Sequence, residues 1–368
     1  MPTTPAPLHR LIERVRHAAD SKTPMNITGG NSKIFYGGIP RGEVLDMRTL
    51  TGISSYEPTE LVVTARAGTP LQELEELLAT HGQCLPFEPP RLGAQTTVGG
   101  MVAAGLSGPA RAQVGAVRDY VLGVTMLNGR GELLTFGGQV MKNVAGYDVA
   151  RLMVGSLGVL GVLCEVSLKV LPIAPATQTL QFACSEAQAL QLLQSWRSQP
   201  HPINASAWFG QTLQVRLSGA ASAVAATARQ WQQTRGADAV PAQTAAEDWN
   251  ALRDQTATIF GDAEKKQAQG LNLWRISVPA TAPAHILPEA ALLEWGGALR
   301  WYWSSASAND IRAKVQELGG HATLYRGADR TIERFTPLSP PLLRIHQGLK
   351  AAFDPVGIFN PGRLYTNL

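Results

Sequence analysis

The sequence predicts an α+β protein built from separately packed units. Three observations carry this. Helical patterns bounded by capping residues alternate with short period-two apolar runs along the chain. All eight tryptophans fall between Trp196 and Trp303, whereas glycine clusters in about the first 170 residues. Pro172 and Pro175 in LKVLPIAPAT punctuate a loop where residue usage changes, and FTPLSPPL, after Arg334, marks a second change. A chain of 368 residues has room for two domains, or for one large domain with a smaller appendage.

In the first unit, residues 8–19 read as a helix, MNITGG as a strand entering a glycine turn, and VLDMRTL and LVVTARAG as strands. TPLQELEELLATHG reads as a helix with Thr69 at the N-cap, Pro70 at the first helical position and Gly82 at the C-cap. YVLGVTMLNGRGELLTFGG predicts two strands around an Asn128-Gly129 turn, and GVLCEVSLKVL alternates as a strand. In the middle unit TLQFAC reads as a strand, SEAQALQLLQSWRSQ as a helix and ASAWFGQTLQVRLSG as a hairpin. Two alanine-rich helices follow at 220–235 and 245–260. Then come LNLWRISVP as strand, HILPEAALLEWGG as helix, LRWYWSS as strand, NDIRAKVQELGG as helix and HATLYRG as strand. On a strand, WYW places Trp301 and Trp303 on one face and Tyr302 on the other, as core packing. The tail is one helix with a turn-rich end, too small to fold alone, and is expected to dock on the first unit.

Charged residues make up 16% of the chain, against about 25% in typical domains. Fewer polar side chains favour a buried cofactor or a subunit interface. The net charge of +4 is scattered, and no Lys/Arg cluster interleaves with aromatics, which argues against nucleic-acid binding. Cys84, Cys164 and Cys184 form no CxxC, so the chain alone holds no iron–sulfur cluster or Cys-rich zinc site. Their sparse, odd count fits a reducing compartment. The amino end lacks the apolar core of a signal peptide, and the longest uncharged apolar run, 152–164, is too short and glycine-rich to span a bilayer. The expectation is a soluble, cytoplasmic protein with no transmembrane segment. Its seven histidines never pair at ligand spacing, so no metal is expected.

Three glycine-rich stretches carry the chemistry. ITGGNSK (27–33) places small residues directly after a strand, where successive backbone N–H groups can face a phosphate. It has neither the P-loop nor the dinucleotide spacing, so on its own it reads as an ordinary tight turn. GAQTTVGGMVAAGLSG (93–108) and GSLGVLG (155–161) repeat the theme. Such small residues fill a core poorly and suit backbone lying flush on an extended ligand. Three stretches in one unit, each at a strand end, predict a large bound cofactor.

The ordered series ITGGNS, LVVTARAGTPLQELEELLATHGQCLPFEPP, TTVGGMVAAGLSG and GAVRDYVLGVTMLNGRGELLTFGGQVMKNVAGYDVARLMVGSLGVLGVLCEV resembles the FAD-binding domain of the vanillyl-alcohol oxidase/PCMH flavoprotein superfamily, from about residue 20 to 172. FDPVGIFNPGRL resembles that superfamily's carboxyl-terminal signature. QVMKNVAGYDVARLMVGSLGVLG and the short length are most similar to the FAD-binding subunits of bacterial glycolate oxidases. The resemblance implies a PCMH-type FAD-binding domain of two α+β subdomains at 1–172, an α+β cap at 173–335, and a segment at 336–368 returning to the FAD domain. It implies a first pyrophosphate loop at Gly29, Gly30, Asn31 and Ser32, continued by Pro89, Thr97, Gly99, Gly100, Ser107 and Gly108. Arg118, Asp119 and Gly123 would support the pocket, Gly155, Ser156, Gly158, Gly161 and Val162 would line its far side, and Asn360 with Arg363 would close it. Asn31 stands where covalent flavoproteins of the family carry His, so non-covalent FAD is expected. Leu157 and Val159 replace the family's frequent Glu and Thr, which removes a polar contact at 157.

The implied function is oxidation of glycolate to glyoxylate within a complex containing a longer FAD-linked glycolate oxidase subunit and an iron–sulfur subunit. The flavin would act as hydride acceptor or electron relay. A self-sufficient oxidoreductase for another 2-hydroxy acid or alcohol, and a non-catalytic flavin-binding scaffold, remain alternatives. Oxidising a 2-hydroxy acid needs a base and a cation for its carboxylate. Related dehydrogenases carry an HxGDGNxH-like stretch that this chain lacks. The catalytic residues are therefore unassigned. The candidates in HATLYRGADRTIERF are His321, Arg326 and Arg330, beside Tyr325 and Arg334, with solvated arginines as the plain alternative. Lys142 and Tyr147 are expected to buttress the glycine run, and His346 to serve packing or surface.

Overall fold

The structure, a computed structural model, describes residues 6–138, 147–289 and 291–368. Two antiparallel sheets organise it. The first has five strands in the order Ile53–Glu57, Val62–Arg66, Val162–Lys169, Val121–Leu127 and Leu133–Gly137. Its inner strands, VVTAR and VLCEVSLK, are rich in β-branched residues and largely buried, while Leu133–Gly137 alternates exposed with half-buried at the edge. Leu71, Leu74 and Leu78, one stripe of helix Leu71–Thr80, cover this sheet with Val98, Met101 and Val102.

The second sheet has eight strands: Asp238–Ala239, Ala176–Ala183, Thr212–Gly219, Ile203–Phe209, Ala291–Glu294, Leu299–Ser304, Asn272–Ser277 and His321–Arg326. Its two faces feed different cores. Tyr302 joins Trp196, Trp231 and Trp274 beneath the helices, whereas Trp301 and Trp303 join Trp249 and Trp295 on the other face. That second core also contains Tyr36, Ala104, Leu106 and Leu157, so it welds the large sheet to the glycine-rich unit.

A third element closes the molecule. Strands Met25–Thr28 and Glu43–Asp46 pair in parallel, and the tail extends them: Met25 N donates to Ile358 O (2.7 Å) and Asn360 N to Met25 O (2.9 Å). Helix Pro340–Phe353 leads into this tail through a buried ion pair, Lys350 Nζ–Asp354 Oδ2 at 2.7 Å. Lys350 also donates to Val159 O and Phe359 O, and Asp354 accepts from the N–H groups of Gly357, Ile358 and Phe359.

Several elements depart from the sequence reading. HILPEAALLEWGG is not a helix. Ala291–Glu294 is a strand between Ile203–Phe209 and Leu299–Ser304, buried on every residue, and Trp295–Gly297 is a short 3₁₀ turn. Without this strand both neighbours would lose the ladder on one edge and the sheet would split in two, so tertiary pairing overrides a helix-compatible local sequence. Thr69 does not cap the helix at 71. Its hydroxyl bonds Gly52 N and O instead, and Pro70 takes the cap position. The hairpin after Leu127 forms around a five-residue connection in which Asn128 Oδ1 accepts from Arg130 N and Glu132 N. The second alanine-rich helix runs Ala242–Arg253 and stops short of 260. Residues Val98–Ala104, inside a glycine-rich stretch, form a helix capped by the Thr97 hydroxyl. Among the described residues no helix is long and apolar enough to cross a membrane.

The Lys350–Asp354 pair carries a stability prediction. Asp354→Ala leaves a buried ammonium and three N–H groups unpaired, and should cost about 3–5 kcal/mol in urea unfolding. Arg48→Ala, which breaks the exposed and solvent-screened pair with Asp46, should leave the unfolding midpoint nearly unchanged in the same assay.

Candidate cofactor site

The parallel strand pair, the first turn of the Val98–Ala104 helix, residues 157–163 and the tail surround one groove. Its inner part is lined by Ile27, Met47, Ala67, Ala103 and Leu163 with Gly99, Gly158 and Gly161, an apolar slot with little side-chain bulk. Its outer part is polar, with residues 29–33, Thr97, Asn360 and Arg363.

The outer loop is formed by close backbone crossing. A Cβ on Gly30 would collide with the Gln95 carbonyl, and one on Gly29 with the Thr97 hydroxyl. Asn31 is left-handed (φ 55°), and Ser32 Oγ pairs with Thr96 Oγ1 at 2.7 Å. Among the described residues the main-chain N–H groups of 29–33 have no hydrogen-bond partner. A run of free N–H groups around a left-handed residue is an anion cradle. Lys33 adds charge. Its ammonium contacts only Ser32 Oγ (3.4 Å), and burial pulls its pKa down to about 8 against a weaker opposing pull from Asp254. Arg363 donates to Tyr36 O (2.8 Å) and Ile34 O (3.3 Å), and burial, then Arg330, lowers it to about 10. Asn360 spends its side chain on the walls: Oδ1 accepts from Ile27 N and Nδ2 donates to Leu157 O, both at 2.7 Å.

The glycine run at 155–161 has a different origin from the one expected. Gly158 is left-handed (φ +73°), and a Cβ there would stand 2.7 Å from Asn360 Nδ2. A Cβ on Gly161 would meet Leu127 O at 2.7 Å. The chain's own packing removes these side chains, and of the three glycines only Gly158 and Gly161 line the groove.

Of the expected cofactor residues, Gly29, Gly30, Asn31, Ser32, Thr97, Gly99, Gly100, Gly158, Gly161, Asn360 and Arg363 line this one groove. The others lie elsewhere. Gly108 O accepts from Trp295 Nε1 (2.9 Å), and Ser107 Oγ from Val117 N (3.2 Å). Glu88, beside buried Pro89, pairs with Arg216 of the large sheet at 2.6 Å. Gly155 and Ser156 line a separate cavity of ≈ 220 Å³ with Arg118 and His346, and Val162 is buried among Leu11, Met47 and Leu127. Asp119 accepts from Ala116 N, and Gly123 sits within strand Val121–Leu127.

The catalytic candidates do not converge. Arg326 stacks on Phe35 (4.1 Å) beside a cavity of ≈ 620 Å³. Arg330 Nη2 lies 3.3–3.4 Å from the carbonyls of Ile34, Gly37 and Gly38. His321 is exposed, and burial, then Arg275 and Arg111, lowers its pKa. Tyr147 has a 93% exposed side chain, with its carbonyl accepting from Val149 N (2.9 Å), while Lys142 lies outside the described residues. Sequence reasoning missed Lys33, although it follows GGNS directly. It also missed Glu294, whose buried carboxylate accepts from Trp301 Nε1 (2.8 Å) and is pushed up to about 7 by burial.

An apolar slot continuous with an anion cradle suits a nucleotide whose flat rings are joined through phosphates. The FAD binding domain family matches residues 3–137, so the fold and groove define an FAD-binding flavoprotein. A solved alkyldihydroxyacetonephosphate synthase shares the fold, with TM-score 0.65 and 16% identity over 96% of this chain and 74% of that one. The glycolate oxidase subunit GlcE of Escherichia coli is 47% identical over 97% of each chain, and this chain belongs to its family. The D-lactate dehydrogenase of Archaeoglobus fulgidus is 32% identical over 43% of this chain and 35% of its own length. The glycolate oxidase subunit GlcD of Bacillus subtilis is 28% identical over 44% and 35%.

The desolvated amine of Lys33 should titrate with a midpoint near pH 8 in the FAD-free chain, followed by NMR of methylated lysines. Its folded pKa lies below the unfolded value of about 10.4. Between those pH values the unfolded chain binds more protons, so Lys33 favours folding increasingly as pH rises through 8, an increment that Lys33→Met removes.

Proposed function

We propose that this chain is the FAD-binding subunit of a glycolate oxidase, an assembly that oxidises glycolate to glyoxylate. The observation that carries the reading is the extent of the GlcE match, which spans the large sheet as well as the FAD-binding domain. When bound, FAD would supply a redox centre that relays electrons taken from the hydroxy acid on the longer subunit. In this reading the N–H groups of 29–33, Lys33 and Arg363 hold the pyrophosphate charge. Ile27, Met47, Ala67 and Leu163 enclose a flat ring system over Gly99, Gly158 and Gly161. Thr97 and Gly100 shape the floor, and Asn360 fixes the spacing of Ile27 and Leu157. Pro89, Ser107 and Gly108, at the junction with the large sheet, and Gly155, Ser156 and Val162, in the neighbouring cavity and core, act as supporting residues that do not line the groove. The cofactor domain is then 1–172 with 336–368, and the cap is 173–335. Asn31 offers no imidazole for a flavin bond, so FAD is held non-covalently. A longer FAD-linked subunit carries the main catalytic site, an iron–sulfur subunit removes the electrons, and the complex is cytoplasmic.

A second reading, in which this chain oxidises the hydroxy acid itself, is favoured by one constellation. Arg111 and Arg275 flank Trp295, with guanidinium carbons 4.4 and 5.1 Å from its ring centroid. Neither makes a salt bridge among the described residues. They would hold a carboxylate, and Glu294, near pH 7, would accept the hydroxyl proton.

An anaerobic absorbance spectrum of the purified chain, before and after glycolate, separates the readings. Under the first, the flavin stays oxidised with glycolate and bleaches with dithionite. Bleaching by glycolate, lost on Arg275→Gln, establishes the second. A folded chain that binds no flavin overturns both. Acid or guanidinium should release the flavin into the supernatant, and colour retained on precipitated polypeptide would refute non-covalent binding.

A further inference from the structure

We propose that the junction of the tail, the 34–41 loop and the end of the large sheet is a binding site for a small dianion, a phosphate or short dicarboxylate, separate from the FAD groove. A cavity of ≈ 230 Å³ opens there, lined by Arg41, Arg330, Arg334, Glu333, Tyr365 and Thr366 among others. That is room for about eight waters at liquid density, enough for an oxyanion on a short frame and too little for a dinucleotide.

The charges around the cavity are unbalanced. Arg334 is 3% exposed, and its Nε and Nη1 have no hydrogen-bond partner among the described residues; the same holds for Arg330 Nε. Their remaining partners are main-chain carbonyls, Gly327 and Asp329 for Arg334 (3.2 and 3.3 Å) and the 34–38 loop for Arg330. Among the described residues no salt bridge reaches Arg41, Arg330, Arg334 or the adjacent Arg363. Burial, then Arg330, pushes Arg334 down to about 10. Two carboxylates stand nearby and are engaged by hydroxyls: Glu333 Oε1 accepts from Thr366 Oγ1 (2.8 Å) and Asp329 Oδ1 from Thr331 Oγ1 (2.6 Å). Three guanidiniums, Arg41, Arg330 and Arg334, and the one carboxylate of Glu333 line the cavity, an excess of two positive charges in a partly desolvated place. An anion of charge two would balance it, and guanidinium forks fit phosphate and carboxylate oxygens equally.

The site also bears on the groove. The 34–41 loop continues directly from the 29–33 cradle, and Arg363, between the cavity-lining Gly362 and Leu364, lines the groove itself. A dianion here would fix both walls and slow the loss of FAD. Only this coupling rests on the proposed cofactor residues.

The test is thermal unfolding of the full chain titrated with inorganic phosphate or malonate, at ionic strength held constant with sodium chloride. Acetate and glycolate serve as monoanion arms. The expected result is a saturable rise in Tm with a dianion and none with the monoanions. Saturation by phosphate alone identifies a phosphate ligand, and by malonate alone a dicarboxylate. Arg41→Gln and Arg334→Gln should each weaken the apparent Kd by about ten-fold or more. Arg41 is exposed, so its variant carries the test if Arg334→Gln fails to fold. A non-saturating rise in every salt, a rise unchanged by Arg41→Gln, or equal protection by acetate overturns the site. Flavin absorbance followed in parallel should show slower FAD release at saturating dianion, and an unchanged rate overturns the coupling alone. A chain that binds the dianion but no flavin leaves the site standing and removes the cofactor reading.

Discussion

The architecture of the groove depends on one buried knot at the carboxyl-terminal end. Lys350 places its three ammonium donors on Val159 O, Asp354 Oδ2 and Phe359 O, so its charge is satisfied without solvent. Asp354 in turn gathers three consecutive N–H groups of the tail. The knot joins a helix end, the tail and the glycine run in one place. The next residue, Asn360, bridges Ile27 and Leu157 through its side chain. The paired strands at 25–28 and 43–46 are only four residues each, too short to hold a fixed geometry alone. Their position follows from the tail that extends them.

Much of the fold was legible because it was written in local patterns. The stripe Leu71, Leu74, Leu78 and the Trp301–Tyr302–Trp303 alternation each state their own periodicity, and the structure uses them accordingly. Ala291–Glu294 was not legible, since four apolar-flanked residues fit either a helix or a strand until their neighbours are known. The Thr69 cap failed for a similar reason: a hydroxyl that suits an N-cap also suits a strand crossing, and Gly52 came closer. In the groove, the first loop and the tail asparagine were recognisable as an ordered series of motifs. Lys33 is harder to see, because its significance lies in desolvation, which a linear sequence does not record. Arg326 and Arg330 both reach the 34–38 loop, but Arg326 stacks on the Phe35 ring while Arg330 faces the carbonyls of Ile34, Gly37 and Gly38, so they line different cavities.

The low charged fraction takes on a specific meaning in this fold. Several arginines serve as carbonyl brackets instead of surface solubilisers. Arg300, fully buried, donates to Ala282 O, Pro283 O and Gly297 O and so pins the loop that leads into the central strand of the large sheet. Arg363 does the same for the 34–38 loop. Guanidinium suits this work because its planar fork reaches several carbonyls at once. The cost is a desolvated positive field, concentrated where loops from different parts of the chain meet.

The tail's place in the strand pair also sets an order of events during synthesis. Met25 finds its partner only when residues 358–360 exist, so the two sides of this contact leave the ribosome far apart in time. The five-stranded sheet closes on strands between residues 53 and 169 and can assemble well before that point. The groove, by contrast, stays open on one side until residues 358–363 arrive. A nascent chain that has not reached them presents the loop at 29–33 without its closing wall, and their arrival acts as the checkpoint for assembling a finished groove.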